Sequence, residues 1–290
     1  MDNTAPRPAL FVLAAMSYRL PQDHVAAFLD ECRRGLFSQA DSTGLGELSF
    51  ETRTILVVDE WEGVYDLARL ASRVDVLSFS GRRRGFGTAR STAIAEARLA
   101  GADRALLVDA DGQHDPVEVA RLARLFAVSE KAAFIPHRRA VDLPLCDGGD
   151  LDRGLAERFE AYIVARACHR DDLQQADMQP GLFMFDRRAL DLLAASMESR
   201  AYSWDLEATG RLVGSDLPLG FPEVDTRPQS VTFFSTTDSQ ANLRFLADRF
   251  GEASVRAGWQ SFVAQPWVRQ RSPDEALGRH ARHLDEALSS

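Results

Sequence analysis

Lysine is nearly absent from this chain. Of its 34 basic residues only Lys131 is a lysine, which excludes chemistry built on a phosphate-loop or Schiff-base lysine unless Lys131 itself serves. Cysteine is scarce too. Cys32, Cys146 and Cys168 are odd in number and far apart, with no Cys-x-x-Cys pair, so neither a disulfide framework nor a zinc knuckle is indicated and all three read as buried thiols. Long hydrophobic runs are missing: residues 9–17 form the longest uncharged apolar stretch, far short of the roughly 20 residues that span a bilayer. No basic start followed by an apolar segment reads as a signal peptide, so the expectation is a soluble, cytoplasmic protein. Basic charge is also in deficit. A net charge of −9 argues against general nucleic-acid binding, which needs a basic face.

What is present is ordinary globular material. Apolar residues make up 45% and charged residues 27% of the 290, with 19 Gly and 12 Pro and no low-complexity linker or internal repeat, so the chain has enough length for a sizeable core. Apolar runs at residues 9–15, 54–59, 74–80, 105–108 and 132–136 have the length of strands buried on both faces. Between them the period becomes helical, at residues 24–34 and 88–100. Asp115-Pro116-Val117-Glu118 is a helix start, with a capping Asp, Pro at the first helical position and Glu three residues after the cap. Such alternation predicts an α/β fold with a mostly parallel sheet flanked by helices and ligands at the carboxyl ends of its strands. Later segments read as a loop over 141–150, a helix over 151–168, a strand over 181–185, helices over 188–196 and 204–213, and an extended run over 217–224. From residue 238 onward the chain reads as helical.

The chemistry concentrates at Val108-Asp109-Ala110-Asp111-Gly112-Gln113-His114-Asp115-Pro116. An apolar strand runs into two carboxylates at i and i+2, which project to one side of an extended backbone and can share a hard divalent cation, Mn2+ or Mg2+. Such an ion binds a pyrophosphate and stabilises the charge that grows on it as it leaves. Gln113 offers a further oxygen at the next alternate position, and His114 beside them reads as a donor to neighbouring groups rather than a ligand.

With Arg84-Gly85-Phe86-Gly87-Thr88-Ala89-Arg90 ahead of it, this stretch resembles family 2 glycosyltransferases of the GT-A fold, above all the dolichyl- or polyprenyl-phosphate sugar transferases. Asp177 to Arg187 resembles that family's acceptor-side segment, and Glu223-Val224 with Arg227 and Ser230 resembles its Glu-Val and Arg-x-x-Gly-Ser motif. The resemblance spans residues 9–232. It implies a GT-A domain at 1–235 followed by a C-terminal helical extension at 236–290. It implies further that Asp59 meets nucleobase or ribose, that Arg227 meets donor phosphate, and that Asp109 lies at the donor and the metal. Arg84, Gly85 and Arg90 are expected to put guanidinium and backbone N–H groups against phosphate. The chain departs from the pattern at Ala15-Met16-Ser17-Tyr18-Arg19, at Asp59-Glu60-Trp61-Glu62 and at Gln229, where the family carries other residues around the base, the ribose and the phosphate.

An uncharged hydroxyl acceptor needs a general base. Trp204-Asp205-Leu206-Glu207 resembles the aromatic-plus-acid segment of the family and offers Asp205 and Glu207. These lie about 200° apart round a helix, so at most one points inward. Ser203 before them reads as a helix cap. For a lipid-phosphate acceptor no base is needed, and Asp177 gains weight as a positioning group. Arg138 and Arg139 are candidates for holding an acceptor anion, Arg82 and Arg83 read as solvated, and His280 and His283 read as solvent-facing. The expected function is that of a metal-dependent inverting glycosyltransferase using a nucleoside diphosphate sugar and a soluble or polyprenyl-phosphate acceptor, with no nucleic-acid partner and with homodimerisation through the last helices open. The alternatives are a noncatalytic nucleotide-sugar binding module and a sugar-phosphate nucleotidyltransferase. The latter's glycine-rich signature should follow strand one, where residues 14–24 hold no glycine.

Overall fold

A computed structural model describes residues 9–18, 20–37, 50–59, 66–80, 84–138, 152–199, 201–227 and 235–289. The first half alternates as the sequence predicts: β1 (Ala9–Tyr18), α1 (Gln22–Phe37), β2 (Phe50–Asp59), α2 (Leu67–Ala71), β3 (Val76–Phe79), α3 (Phe86–Leu99), β4 (Arg104–Asp109) and α4 (Pro116–Val128). Then come β5 (Ala133–Phe134), β6 (His137–Arg138), α5 (Arg153–Ala167), β7 (Leu182–Asp186), α6 (Arg187–Ser196), α7 (Trp204–Val213), β8 (Leu219–Gly220) and β9 (Glu223–Val224). The chain finishes in α8 (Thr236–Phe250), α9 (Glu252–Val263), α10 (Pro266–Arg271) and α11 (Asp274–Ser289).

Seven strands form one sheet in the order β3-β2-β1-β4-β7-β5-β8, and β6 pairs with β9 apart from it. The β1–β4 strands pair in parallel, whereas β7 runs antiparallel to both β4 and β5. Side-chain alternation divides the core into two layers. Leu10, Val12, Ala14, Ala105 and Leu107 face the layer that holds α3, α5 and α7, while Phe11, Leu13, Ala15, Leu106 and Val108 face that of α1 and α4. Asp109 continues the parity of Ala105 and Leu107, so the sheet aims it toward α3 and α7. The predicted start of α4 is present: Asp115 accepts from the Val117 N–H at 2.9 Å, with Pro116 in the first turn. A cap of this kind stabilises a helix by about 1 kcal/mol.

The C-terminal helices have no core of their own. Leu243, Leu246, Val255, Trp259, Phe262 and Leu284 join the same buried cluster as β1 and β4. Trp259 meets Phe159 of α5 edge-on with centroids 5.1 Å apart. His280 and His283 correct the sequence reading. Both are buried, because their face of α11 is also the face of Ala276, Leu284 and Ala287, which the core covers. The His280 ring packs on Trp259 and Phe159, and burial lowers its pKa to about 3, so it is neutral.

Cys32 is a buried thiol and Cys168 a half-buried one; Cys146, the 141–150 loop, Arg82, Arg83, Arg139, Glu60–Glu62, Gln229 and Ser230 lie outside the described residues. Among the described residues, no helix is long and apolar enough to cross a membrane.

Candidate active site

The carboxyl end of β4 is fixed by backbone bonds on both sides. Asp109 donates its N–H to the Gly181 carbonyl at 3.0 Å and Ala110 donates to the Met16 carbonyl at 2.9 Å. The turn that follows is held by Asp111, whose Oδ1 accepts from the Gln113 N–H at 3.0 Å. Gly181 has φ +70°, and a β-carbon there would lie 2.9 Å from Asp109 Oδ2. Only glycine permits both that backbone and that approach. His114 is buried with Nε2 2.5 Å from the Pro180 carbonyl, and burial lowers its pKa to about 4, so the neutral ring donates there. Arg227 is drawn to the same turn. Its N–H donates to the Gln113 carbonyl at 2.8 Å and its Nη2 to Asp115 Oδ2 at 2.5 Å.

Above Asp109, α3 and α7 contribute a buried charge cluster. Arg90 is fully buried; its Nη2 donates to Asp109 Oδ2 at 3.1 Å, and its Nε lies 2.9 Å from Asp205 Oδ1. The guanidinium sits over the Phe86 ring at 4.4 Å, with Phe183 and Trp204 at 5.4 and 5.6 Å. Trp204 satisfies its indole N–H on Ser91 Oγ at 3.0 Å. Burial pushes the Asp205 carboxyl up to about 7, with Arg90 opposing and Asp109 adding to the rise. Burial likewise pushes Asp109 up to about 6, with Arg90 opposing and Asp111 adding.

The helical offset sends the two acids of α7 to different partners, but both are buried, against the expectation that at most one points inward, because the 198–199 segment covers the second face of the helix. Asp205 turns to Arg90, whereas Glu207 accepts from the backbone N–H groups of Glu198 and Ser199 at 2.7–3.1 Å and pairs with Arg211 at 2.8 Å. Glu207 thus holds the segment that carries Tyr202, whose ring stacks on Phe86 with centroids 4.7 Å apart. Ser203 stands at the cap position of α7 without capping it; its hydroxyl meets that of Ser199 at 2.7 Å.

Asp59 accepts from the N–H groups of Arg84 and Gly85 at 2.8 and 2.9 Å. The carboxylate expected at the nucleobase or ribose and the amides expected at phosphate therefore bond one another, and fasten the turn before α3 to the end of β2. Arg90 departs further from its expected place, being enclosed by aromatic rings and two carboxylates. Arg138 is buried too. It bonds Asp177 at 2.5 Å, Glu157 at 2.7 Å and the Gln179 carbonyl at 3.0 Å, and these carboxylates outweigh burial and raise its pKa. Reciprocally, Arg138 holds Asp177 well below the usual carboxylate range despite its burial. This cluster fixes the segment leading into Pro180-Gly181.

Asp109 and Asp111 supply oxygen donors only, which suits a hard divalent ion. Among the described residues no group of three or more His, Cys, Asp or Glu side chains gathers for a metal. An ion that keeps waters and takes diphosphate oxygens needs only one or two carboxylates, so the donor set fits Mn2+ or Mg2+. Removal from water pushes the Asp109 carboxyl up, and a divalent cation beside it would favour the charged form.

The sequence reading did not anticipate Glu157, Glu160 and Gln179. Glu160 accepts from Asn242 Nδ2 at 2.8 Å and Gln179 Nε2 at 2.7 Å, tying α8 to the floor of the site. The one signal was two acids at i and i+3 on a helix otherwise rich in apolar residues.

The chain matches no protein-family model and no curated protein sequence. It is similar to solved structures. Against glucosyl-3-phosphoglycerate synthase from Mycobacterium tuberculosis, in complex with Mn2+, UDP and glucosyl-3-phosphoglycerate, the identity is 14% and the TM-score 0.53, covering 90% of this chain and 81% of that one. Mannosyl-3-phosphoglycerate synthase from Rubrobacter xylanophilus gives 16% and 0.55, over 85% and 76% of the two chains. A mycobacterial protein gives 16% and 0.58, over the same shares. At these identities the likeness is one of architecture, and with the sheet order above it establishes that this chain adopts the GT-A fold.

Proposed function

We propose that the protein transfers a sugar from a nucleoside diphosphate donor to a hydroxyl acceptor, with a divalent cation held by Asp109 and Asp111. One observation carries this reading: a two-carboxylate corner at the carboxyl end of β4 faces a third carboxylate, the buried Asp205, across Arg90. Strand ends of open α/β sheets are where ligands bind. A bound cation supplies charge neutralisation for the departing diphosphate. The chain's own residues do the rest. Arg227 and the Gln113 turn close the donor side. Asp205, with a pKa pushed to about 7, is in the range suited to accept a proton from an attacking hydroxyl near neutral pH. Single in-line displacement at the anomeric carbon inverts its configuration. Glu207, engaged with the 198–199 backbone and Arg211, serves α7 and the Tyr202 segment instead.

The names of two similar structures, glucosyl- and mannosyl-3-phosphoglycerate synthase, and the UDP bound in the first make UDP-hexoses with 3-phosphoglycerate the first pairs to try, and short polyprenyl phosphates the second. The test is release of nucleoside diphosphate with formation of glycosylated acceptor in the presence of Mn2+. Asp109→Asn with Asp111→Asn is expected to abolish turnover. Full turnover in that double variant overturns the reading. Donor binding without turnover on any acceptor points instead to a binding module.

A further inference from the structure

Arg90 is divided between two carboxylates and completes a proper pair with neither. Its Nη2 makes a single hydrogen bond, to Asp109 at 3.1 Å. Its Nε, 2.9 Å from Asp205 Oδ1, is out of line for a hydrogen bond, and Nε, Nη1 and Asp205 Oδ1 are all buried without a hydrogen-bond partner. A guanidinium is a planar fork whose strongest partner is one carboxylate held bidentately. The rings of Phe86, Phe183 and Trp204 enclose it without offering any acceptor atom, so the residue can shift between the two acids inside an apolar sleeve. Asp109 is also a residue that would hold a divalent cation, and a cation and a guanidinium would compete for the charge of that one carboxylate.

We propose that Arg90 is a positioning residue that serves the two acids in turn: it neutralises Asp109 when no cation is there, and moves onto Asp205 as a bidentate partner when a cation takes Asp109. This rests on the reading of Asp109 and Asp111 as cation holders. The consequence is a link between the two sides of the site: loading of the donor side aligns Asp205 and holds it ionised, while each of its oxygens keeps a second lone pair to accept from the acceptor hydroxyl.

The test is calorimetric titration of Mn2+ alone into the full chain at about pH 8, above the ordinary carboxylate range. Arg90→Met keeps the length and suits the aromatic sleeve. Without the competing charge it is expected to bind Mn2+ about tenfold more tightly than the unaltered protein, and with a donor and acceptor pair its kcat is expected to fall about tenfold with little change in donor KM. Arg90→Lys, a point charge that cannot bridge, serves should the Met variant not fold; it is expected to shift both quantities in the same directions by about threefold. A structure with Mn2+ and UDP is expected to show Arg90 on both Asp205 oxygens and away from Asp109. Equal Mn2+ affinity with and without Arg90, or Arg90 still bonded to Asp109 beside a bound cation, overturns the proposal. Mn2+ binding that is undiminished in Asp109→Asn overturns the reading of Asp109 as a cation holder, on which this proposal rests. Binding lost in Asp109→Asn but unmoved in the Arg90 variants overturns only the role of Arg90.

Discussion

Gly181 and Asp109 touch across two antiparallel strands: a β-carbon on Gly181 would stand 2.9 Å from Asp109 Oδ2, and the Gly181 carbonyl accepts the Asp109 N–H at 3.0 Å. The segment before β7 thereby sets the position of the carboxylate proposed to hold the cation. Gly181→Ala is expected to cost about 1–3 kcal/mol of stability, from the strained φ and the contact, and to weaken Mn2+ binding. Urea unfolding alongside a Mn2+ titration measures both, and an alanine variant with unchanged Mn2+ affinity would show that the contact is incidental.

Asp205 and Glu207 should respond in opposite ways. Asp205→Asn is expected to keep the native circular dichroism spectrum and lower kcat about 100-fold or more. Glu207→Gln weakens the clamp on the Glu198 and Ser199 N–H groups, and is expected to lower stability by about 1–3 kcal/mol with a far smaller loss of kcat. The reverse ranking in steady-state assays and melts would reassign the base.

His280 should make the protein sensitive to acid. Burial holds its folded pKa near 3 against an ordinary 6.5, so below 6.5 the unfolded chain takes up a proton that the folded one refuses. That contribution to stability is present above pH 6.5 and drains away as the pH falls toward 3. His280→Phe, which suits the Trp259 and Phe159 neighbours, is expected to shrink the stability difference between pH 7 and pH 5 by about 1–2 kcal/mol. Denaturant titrations at the two pH values check it, and an identical difference in both proteins would rule it out.

A chain ending at residue 235 should not fold to a stable unit. Removing α8 to α11 uncovers the cluster shared by Leu243, Leu246, Trp259 and Phe262 with α5, and deletes Asn242 from Glu160. Losing this many buried side chains, at about 1.5–3 kcal/mol each, is comparable to the whole stability of an ordinary domain. A cooperative melt of the shortened chain would refute this.

The sequence alone determined the α/β alternation, the cap at Asp115 and the carboxylates that close β4, because all three follow from local patterns: period 2 against period 3.6, a proline after a capping acid, and acids ending an apolar run. The helical offset between Asp205 and Glu207 was legible for the same reason. Only the tertiary structure decided where each charge goes. Arg90, expected at phosphate, is carried into the core by its place on α3, where one turn presents its side chain to β4 and α7 together. Asp59 meets the Arg84 and Gly85 amides across a gap of some 25 residues, Arg138 finds Asp177 and Glu157, and His280 lies on the covered face of α11. Local sequence fixes periodicity and turn chemistry, whereas the partner of a buried charge depends on which elements the sheet order brings side by side.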